Sequence, residues 1–292
     1  VDNIHRVSMG TALWMKSRKM KCVVLGYDCR FGGQMFVEEA CRIFGALGIE
    51  CRIGSTISTT PMVSLGTLRA NAGLGIVITA SHNPPDYSGY KLKSEEGGPL
   101  IPKYILEVER LIPDKVDIEL PSFQSLLENK IVQYQNFEDL YVSHVRKSFD
   151  LKILKSSNLK IAYDAMYGAG QFAMKRILPG LKWIRCDYNP SFHGISPEPI
   201  LKNLQSTARY LEKNHKYNLC IITDGDADRI GIMDGSGAFI DSHHIMLLLL
   251  LYMHKYKAWT GKVVAAFSIT TKLKKMAALF GLEYIETPIG FK

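Results

Sequence analysis

The chain has 292 residues, of which 47% are hydrophobic and 22% are charged, a composition that excludes an intrinsically disordered protein. Its formal net charge of +8 comes from lysines and arginines spread along the whole sequence, without a long basic run or an aromatic platform, and this favours an enzyme for anionic metabolites over a nucleic-acid-binding protein. The six cysteines form no C-x-x-C pair and the longest apolar run, residues 245–253, is too short to cross a bilayer, so we predict a cytoplasmic protein with neither a disulfide framework nor a membrane partner.

Short apolar runs alternate with segments of helical period in the first half of the chain. This alternation is typical of βαβ units. Pro61 can begin a helix, because its missing N–H costs nothing in the first turn. The proline-punctuated stretch 114–125 is predicted to be a connection. The other predicted elements are helices at 2–18 and 34–47 and strands at 22–26, 49–53 and 75–79.

The same alternation continues to the end of the chain. A Gly-x-Gly turn at 168–170 opens a helix, and the run 245–253 is predicted to be a buried helix that begins at Asp241. The remaining predicted elements are strands at 160–163, 181–186, 219–223, 262–265 and 283–285, a loop at 189–199, and helices at 200–213 and 270–280. We therefore predict an α/β fold with mixed, mainly parallel sheets, in consecutive domains at 1–152, 153–258 and 259–292.

Three aspartates at alternate positions follow one of the predicted strands. In an extended loop the side chains of Asp224, Asp226 and Asp228 point the same way, and the small residues Gly225 and Ala227 let the loop curve around an ion. Carboxylate oxygens favour Mg²⁺ or Mn²⁺ over softer metals, and three close anions without a cation would be costly. The pattern predicts a metal site.

Other interpretations of the acidic loop fit less well. An EF-hand would need Gly at loop position six and Glu at position twelve, where this chain has Arg229 and Gly235. A general acid/base pair would need only two carboxylates. A solvated acidic turn remains open, although the flanking runs 219–223 and 230–233 are strongly apolar.

A second constellation, T-A-S-H-N-P-P at 79–85, follows the predicted strand 75–79. Catalytic serines are common on loops at strand ends, where the hydroxyl can reach a ligand. The alternative is a Ser/Asn/Pro turn with His82 bonded to the backbone, and the serine motif alone does not decide between the two.

Together the two motifs indicate phosphoryl transfer, which needs positioning and a cation that neutralises developing charge. We predict that Ser81 carries a phosphoryl group and is a ligand of the metal held by the three aspartates. Arg30 and Arg229 are candidates to hold phosphate or sugar oxygens through their planar guanidinium groups. Lys91 could exchange a proton with the reacting hydroxyl if burial or nearby cations lower its pKa.

At these motifs the chain resembles the α-D-phosphohexomutase family, in particular its phosphoglucomutase/phosphomannomutase branch. The phosphoserine loop is matched in full at 79–85 and the D-G-D-x-D-R metal loop at 224–229, and the order and spacing of the motifs agree along essentially the whole chain. Shorter similarities lie at G-Y-D-C-R 26–30, S-G-Y-K 88–91, the loop 192–199 and the third-domain segment 287–292.

The resemblance implies a reversible mutase that acts on glucose or mannose phosphates with Mg²⁺ as cofactor. Phosphorylated Ser81 would give its phosphoryl group to a sugar 1-phosphate, and Ser81 would take back the other phosphoryl group of the resulting hexose bisphosphate. On this basis Lys91 is the general acid/base, His82 orients the reacting groups and Lys292 contacts the substrate.

The chain also departs from the family pattern. We find no G-T-S-G-x-R-like segment at the start, no G-E-x-S-G sugar loop and no R-x-S-G-T-E-P-like phosphate clamp. The first residue is Val1, within a predicted helix. We therefore expect a chain truncated at both ends, with little or no mutase turnover by these residues alone, because catalysis draws on contacts to non-reacting parts of the substrate.

Three other functions stay open at this point. A phosphoglucosamine mutase would share the same motifs, although Tyr90 and the Pro84-Pro85 pair favour the glucose/mannose branch. A non-catalytic sugar-phosphate-binding relative would keep the fold without the transfer. A nucleotide-binding module is disfavoured, because the glycines at 168 and 170 lack the third glycine of a dinucleotide fingerprint and no P-loop motif is present.

Overall fold

The computed structural model describes residues 1–289 and has the predicted α/β fold. Its strands are β1 Cys22–Tyr27, β2 Glu50–Gly54, β3 Leu74–Ile78, β4 Tyr90–Ser94, β5 Val132–Gln135, β6 Ile161–Asp164, β7 Lys182–Ile184, β8 Leu219–Thr223, β9 Ile230–Asp234, β10 Phe239–Ile240, β11 Lys262–Ala266 and β12 Glu283–Thr287. Its α-helices are α1 Asp2–Ser17, α2 Gly33–Ala46, α3 Thr60–Arg69, α4 Pro102–Glu109, α5 Phe123–Glu128, α6 Phe137–Ser148, α7 Leu151–Ser156, α8 Gly170–Ile177, α9 Gln205–Asn214, α10 Ser242–Leu251 and α11 Thr271–Leu279.

The first sheet has the strand order β4-β3-β1-β2-β5. Its pairs are parallel except for β4, which runs antiparallel to β3 at the edge. Every residue of the interior strand β3 is buried, because hydrophobic clusters cover both faces of the sheet, one under α1 and α2 and the other under α3 and α6. Buried parallel strands of this kind read as continuous apolar runs, which is why the sequence predicted them.

The second sheet has the order β10-β9-β8-β6-β7. Strands β7, β6 and β8 are parallel, whereas β8 and β9 form an antiparallel hairpin. The acidic loop connects these two strands, so the turn of a hairpin carries the three aspartates. A third sheet contains β11 and β12, paired in parallel, with α11 between them in the chain.

The structure differs from the sequence-based predictions in several elements, among them the following. Strand β4 was not predicted, because its sequence Tyr-Lys-Leu-Lys-Ser has the polar alternation of an edge strand. Residues 114–125 are not all a connection, since α5 begins at Phe123 with Ser122 as its N-cap. The helix expected at 200–213 begins as a 3₁₀ turn, Leu201–Leu204, before α9.

The helix predicted at 245–253 is present as α10, and Asp241 caps it by accepting a hydrogen bond from the His244 N–H at 2.9 Å. The prediction that α10 is buried is wrong for the residues described. Only Ile245 is buried along it, and Leu248 is 54% exposed. The helix packs against α11 and β9, which cover one side of a segment that is apolar all round.

Candidate active site

The serine loop and the acidic loop meet at the carboxyl ends of the two sheets. Ser81 follows β3 and Asp224 follows β8, and the Ser81 hydroxyl donates a hydrogen bond to Oδ2 of Asp224 at 2.7 Å. Both residues are buried, Ser81 at 6% and Asp224 at 0% exposure. The fold therefore brings together two motifs that are 143 positions apart in sequence, as the phosphoryl-transfer hypothesis requires.

The acidic loop is held by bonds to its own backbone and to the first sheet's helix α3. Oδ1 of Asp224 accepts hydrogen bonds from the backbone N–H groups of Asp228 and Arg229, each at 3.0 Å. The Thr60 hydroxyl donates to Oδ2 of Asp226 at 2.5 Å, and the Thr60 N–H donates to the Asp226 carbonyl at 2.9 Å. These bonds fix two of the three carboxylates: Asp224 from within the second unit, which is the second sheet with its helices, and Asp226 from the first unit, which is the first sheet with its helices.

The donor set fits a hard divalent cation. One oxygen from each of Asp224, Asp226 and Asp228 lies within 4.8 Å of the others, and Oδ1 of Asp226 is buried without a hydrogen-bond partner among the described residues. The ammonium group of Lys91 lies 2.6 Å from Asp226 and 2.9 Å from Asp228. The carboxylates are thus paired with the positive charge of the Lys91 ammonium. A site with only oxygen ligands of this kind suits Mg²⁺ or Mn²⁺.

The electrostatics of the triad show the strain of packing anions together. Burial, with the neighbouring Asp226 charge, raises the pKa of Asp224 to about 7. Burial also acts to raise the pKa of Asp226, but the Lys91 ammonium and the Thr60 hydroxyl outweigh it and the pKa is lowered. Neutralising charge is therefore needed at this loop.

The pKa of Lys91 is not lowered, although its predicted role in proton exchange requires a lowered pKa. Burial alone would lower its pKa, but Asp226 and Asp228 outweigh burial and the pKa is raised. The lowered pKa expected for a proton-exchanging lysine is not present in this arrangement, because the amine is paired with two carboxylates. A divalent cation on the same oxygens would compete with Lys91 for them.

Ser81 has a left-handed backbone, with φ of +52°, which is uncommon for a residue with a side chain. Its N–H donates to the Thr79 hydroxyl oxygen at 2.8 Å, and that hydroxyl donates to Oδ2 of Asp28 at 2.6 Å. Burial raises the pKa of Asp28 to about 6. A buried series of hydrogen bonds, from Asp28 through Thr79, thus holds the backbone of Ser81.

Arg30 lies beneath the serine loop and does not face a ligand. Its Nε–H donates to Asp28, its Nη1 to the carbonyls of Pro84 and Tyr87, and its Nη2 to the carbonyls of Ser81 and Asn83, at distances from 2.6 to 3.2 Å. All five N–H groups of a guanidinium are used in this way, and the side chain is 1% exposed. The expectation that Arg30 holds phosphate or sugar oxygens is therefore corrected, because its donors shape the loop instead.

The other two candidates lie at the open side of the site. Arg229 follows the aspartates, and its side chain is exposed. His82 is about one-third exposed, with Nε2 at 3.9 Å from Oε1 of Glu198, and its Nδ1 is buried without a partner among the described residues. Both can meet a ligand that enters from solvent. Lys292 lies outside the described residues.

Gly225 allows the two loops to touch. A Cβ added there would lie 2.5 Å from the Ser81 carbonyl oxygen and 3.0 Å from Cγ of Pro197, so only glycine fits at this contact. Sequence reasoning missed Thr60, Thr79 and Asp28 as supporting residues. Asp28 and Thr79 lie inside matched motifs, but nothing in the sequence signals Thr60, which reaches Asp226 only through the fold.

Comparison with known protein families matches nearly the whole chain. Residues 1–117, 139–237 and 241–292 match the phosphoglucomutase/phosphomannomutase alpha/beta/alpha domains I, II and III, respectively.

Individual relatives carry more than one activity in their names. A phosphoglucomutase of Staphylococcus haemolyticus is 28% identical and is matched over 99% of this chain and 56% of its own length. A phosphoglucosamine mutase of Methanococcus maripaludis is 29% identical, over 99% of this chain and 63% of its own length. The chain thus spans about three-fifths of the length of these relatives.

The fold is shared with solved structures. A Thermus thermophilus protein assigned as a phosphomannomutase superposes with a TM-score of 0.91 at 28% identity, over 99% of this chain and 65% of that one. A phosphoglucomutase from Paramecium, pp63/parafusin, gives 0.84 at 20% identity over 98% of this chain and 59% of that one, which compares the fold alone. Within residues 1–289, no helix is both long and apolar enough to span a bilayer.

Proposed function

The chain belongs to the phosphoglucomutase/phosphomannomutase family of α-D-phosphohexomutases, and on that premise we propose that it carries the phosphoryl-transfer site of a mutase for hexose phosphates. The reaction is the reversible transfer of a phosphoryl group between the 1- and 6-positions of glucose or mannose phosphate. Ser81 holds the phosphoryl group between turnovers, and a hexose bisphosphate is the intermediate.

The observation that carries this proposal is the 2.7 Å hydrogen bond from the Ser81 hydroxyl to Asp224. It joins a nucleophile-bearing loop to a three-carboxylate loop across two separate sheets. A serine that only stabilised its own turn would not be expected to donate its hydroxyl to a cluster of three carboxylates, of which Asp224 and Asp226 are buried. A phosphoserine at the same position would place its anionic oxygens beside the cation that those carboxylates need.

Asp224, Asp226 and Asp228 would hold Mg²⁺, with an oxygen of Ser81 or its phosphate as a further ligand. When bound, the ion supplies charge neutralisation for the phosphoryl oxygens. The chain's own contribution is to hold Ser81 still: the serine backbone is fixed by Thr79 and Arg30. Positioning of this kind accounts for much of the rate of phosphoryl transfer.

The remaining residues have separate roles in the proposal. Arg229 is exposed at the rim, where its guanidinium can take phosphate oxygens of the sugar. His82, whose side chain is about one-third exposed, is the candidate to orient the reacting groups. Lys91 is the candidate for exchanging a proton with the sugar hydroxyl, and Lys292 is the candidate substrate contact of the third domain.

A phosphoglucosamine mutase is the second candidate, since relatives of similar identity carry that name. Tyr90 and the Pro84-Pro85 pair favour the glucose/mannose branch. Rates of phosphoryl transfer from Ser81-phosphorylated protein to glucose 1-phosphate, mannose 1-phosphate and glucosamine 1-phosphate decide between them, and a preference for the glucosamine compound would contradict our assignment.

Phosphate uptake by the protein tests the covalent mechanism directly. We expect incubation with glucose 1,6-bisphosphate and Mg²⁺ to add one phosphoryl group to the chain, read as an intact-mass increase, and Ser81→Ala to abolish it. Ser88→Ala changes an exposed serine of the same β3–β4 connection; it is the matched control and should be phosphorylated like the wild type. Uptake by the Ser81→Ala variant would refute the mechanism, and a wild type that binds the bisphosphate without phosphoryl uptake would indicate a non-catalytic relative.

A further inference from the structure

A buried ion pair lies at the ends of two neighbouring strands of the second sheet, β6 and β7. Asp164 ends β6 and is 0% exposed, and Arg185 follows β7 with its side chain 7% exposed. The Nε–H of Arg185 lies 2.9 and 3.1 Å from the two oxygens of Asp164, and its Nη2 also donates to this carboxylate. Among the described residues, neither side chain forms a hydrogen bond or ion pair with the three aspartates, so we assign the pair no direct part in holding the metal.

The pair is tied to its surroundings at every polar atom. The Thr207 hydroxyl of α9 donates to Oδ2 of Asp164 at 2.5 Å, and Nη1 of Arg185 donates to the Asn203 carbonyl at 3.0 Å. The Met166 N–H donates to Oδ1 of Asp164 at 2.9 Å. Three segments of the second unit therefore converge on one carboxylate.

The Asp164 carboxylate shapes a strained turn, residues 165–169. Met166 and Tyr167 both have positive φ, +47° and +63°, a combination that costs free energy unless other contacts fix it. The bond from Met166 to Asp164 and a second bond from the Tyr167 N–H to the Arg185 carbonyl, at 2.8 Å, hold the turn in this conformation. The first of these bonds is to the Asp164 side chain and the second is to the backbone of Arg185.

The 165–169 turn contacts the acidic loop and supports it. The Ala169 N–H donates to the Gly225 carbonyl at 2.9 Å. A Cβ added at Gly168 would lie 2.8 Å from the carbonyl oxygens of both Asp224 and Gly225, so the two backbones are in close contact. Gly225 in turn contacts the Ser81 carbonyl on its other side. The acidic loop is therefore held between the 165–169 turn and the serine loop.

From this geometry we propose that Asp164 and Arg185 are positioning residues that set the conformation of the metal-binding loop through the 165–169 turn. A buried ion pair adds little net stability by comparison with well-packed apolar residues. Its role here is to fix the turn whose Ala169 N–H binds the Gly225 carbonyl, and through that bond the conformation of the loop that carries the aspartates. A test by Mn²⁺ affinity rests on the proposed function, because it assumes that the three aspartates bind a metal. A test by amide hydrogen exchange does not, because exchange reports the stability of the loops without a metal.

The test uses conservative variants of the 292-residue chain. We expect Thr207→Val and Arg185→Lys to lower the affinity for Mn²⁺ at least about tenfold, measured by calorimetry, because the turn loses part of its support. In the same variants amide hydrogen exchange should quicken in residues 165–169 and 224–229. Thr207→Ser retains the hydroxyl and should restore both readouts.

Arg42→Lys is the matched control, because Arg42 also contacts both oxygens of a carboxylate, that of Glu39 at 3.1 and 2.9 Å, but far from the acidic loop. It should leave Mn²⁺ affinity unchanged. Should Arg185→Lys fail to fold, the milder pair Thr207→Val and Thr207→Ser decides the matter.

Two outcomes separate this proposal from the proposed function. If the wild type binds no Mn²⁺, the metal site is refuted, and faster exchange confined to the two loops still supports the positioning role. Folded variants with wild-type Mn²⁺ affinity and wild-type exchange in both loops would overturn the positioning role. Exchange that quickens evenly over the whole chain would also overturn it, since that indicates lost global stability alone.

Discussion

At the scale of single residues, the candidate site depends on buried groups that bond to its loops. Arg30 uses all its donors on one carboxylate and four carbonyls, and Thr79 links Asp28 to the Ser81 backbone. The left-handed Ser81 persists because these bonds over-determine it. The side chain of Ser81, the candidate phosphoryl carrier, is thus placed by buried neighbours.

Replacing Arg30 by Lys should therefore disturb the serine loop. Lysine keeps the charge but lacks the planar fork, so several buried carbonyls lose their donor, and each such loss costs about 1–3 kcal/mol. We expect Arg30→Lys to lower the free energy of unfolding by at least about 2 kcal/mol in urea titrations, and to slow phosphate uptake at Ser81. Arg42→Lys is the control, and equal stability of the two variants would contradict the clamp.

Asp28 should give the protein a measurable pH dependence. Its pKa is raised from 3.8 to about 6 by burial, so the folded state binds the proton more tightly than the unfolded state. The stabilising contribution is complete below about pH 4 and is lost as pH rises through about 6, amounting to about 3 kcal/mol at most.

Asparagine resembles the protonated carboxyl, so Asp28→Asn should cost more stability at about pH 4.5 than at about pH 7. Urea unfolding of both proteins at the two pH values measures this difference. A cost that grows with pH would show instead that pairing with Arg30 holds the pKa of Asp28 below its usual range.

At the scale of elements, the strand-to-loop junctions decide where the chemistry lies. The carboxyl ends of β1, β3 and β8 lead into the loops of Arg30, Ser81 and Asp224, respectively. Edge strand β4 places Lys91 across from β3, in register with Val77. The alternation of strand and helix accounts for this arrangement, because βα loops gather at one edge of a parallel sheet.

The contact between the serine and acidic loops can be tested at Gly225. A methyl group there would lie 2.5 Å from a backbone carbonyl, which cannot move without shifting Ser81. We expect Gly225→Ala to destabilise the fold by about 1–3 kcal/mol and to reduce phosphate uptake. Gly180→Ala, with open space around the added methyl group, should change stability by less than about 0.5 kcal/mol. Equal effects of the two changes would contradict a close contact.

At the scale of the whole molecule, the candidate metal site lies where the first two units meet. Thr60 and Lys91 come from the first unit and contact Asp226 of the second. A hydrophobic cluster that includes residues of α3, α6 and α8 packs the units together elsewhere, and Arg176 of α8 pairs with Glu138 of α6 at 3.1 Å. A metal in the site would therefore stabilise both units at once.

Metal removal should accordingly lower the thermal stability of the entire chain. A ligand that binds only the folded state adds about 2.7 kcal/mol at a concentration one hundred times its Kd. We expect Mg²⁺ to raise Tm and a chelator to reverse the rise, and Asp226→Asn to abolish most of the response. Asp234→Asn, at the end of β9, is the control. A Tm that responds to Mg²⁺ equally in both variants would place the ion elsewhere.

The sequence by itself determined the fold class, most buried strands, the Ser81 loop and the three aspartates. These are local signals: apolar runs of strand length, motifs within a few positions, and carboxylates at alternate residues. It did not show edge strand β4, whose polar alternation is weak evidence, or the exposure of α10. Only the tertiary structure decided what Arg30 and Lys91 do, because four of the five N–H donors of Arg30 bond to carbonyls more than 50 positions away and the Lys91 ammonium bonds to carboxylates more than 130 positions away. The tertiary structure alone also shows the contacts of Thr60, Asp164 and Arg185, because a hydrogen bond between distant segments leaves no periodic pattern in the sequence.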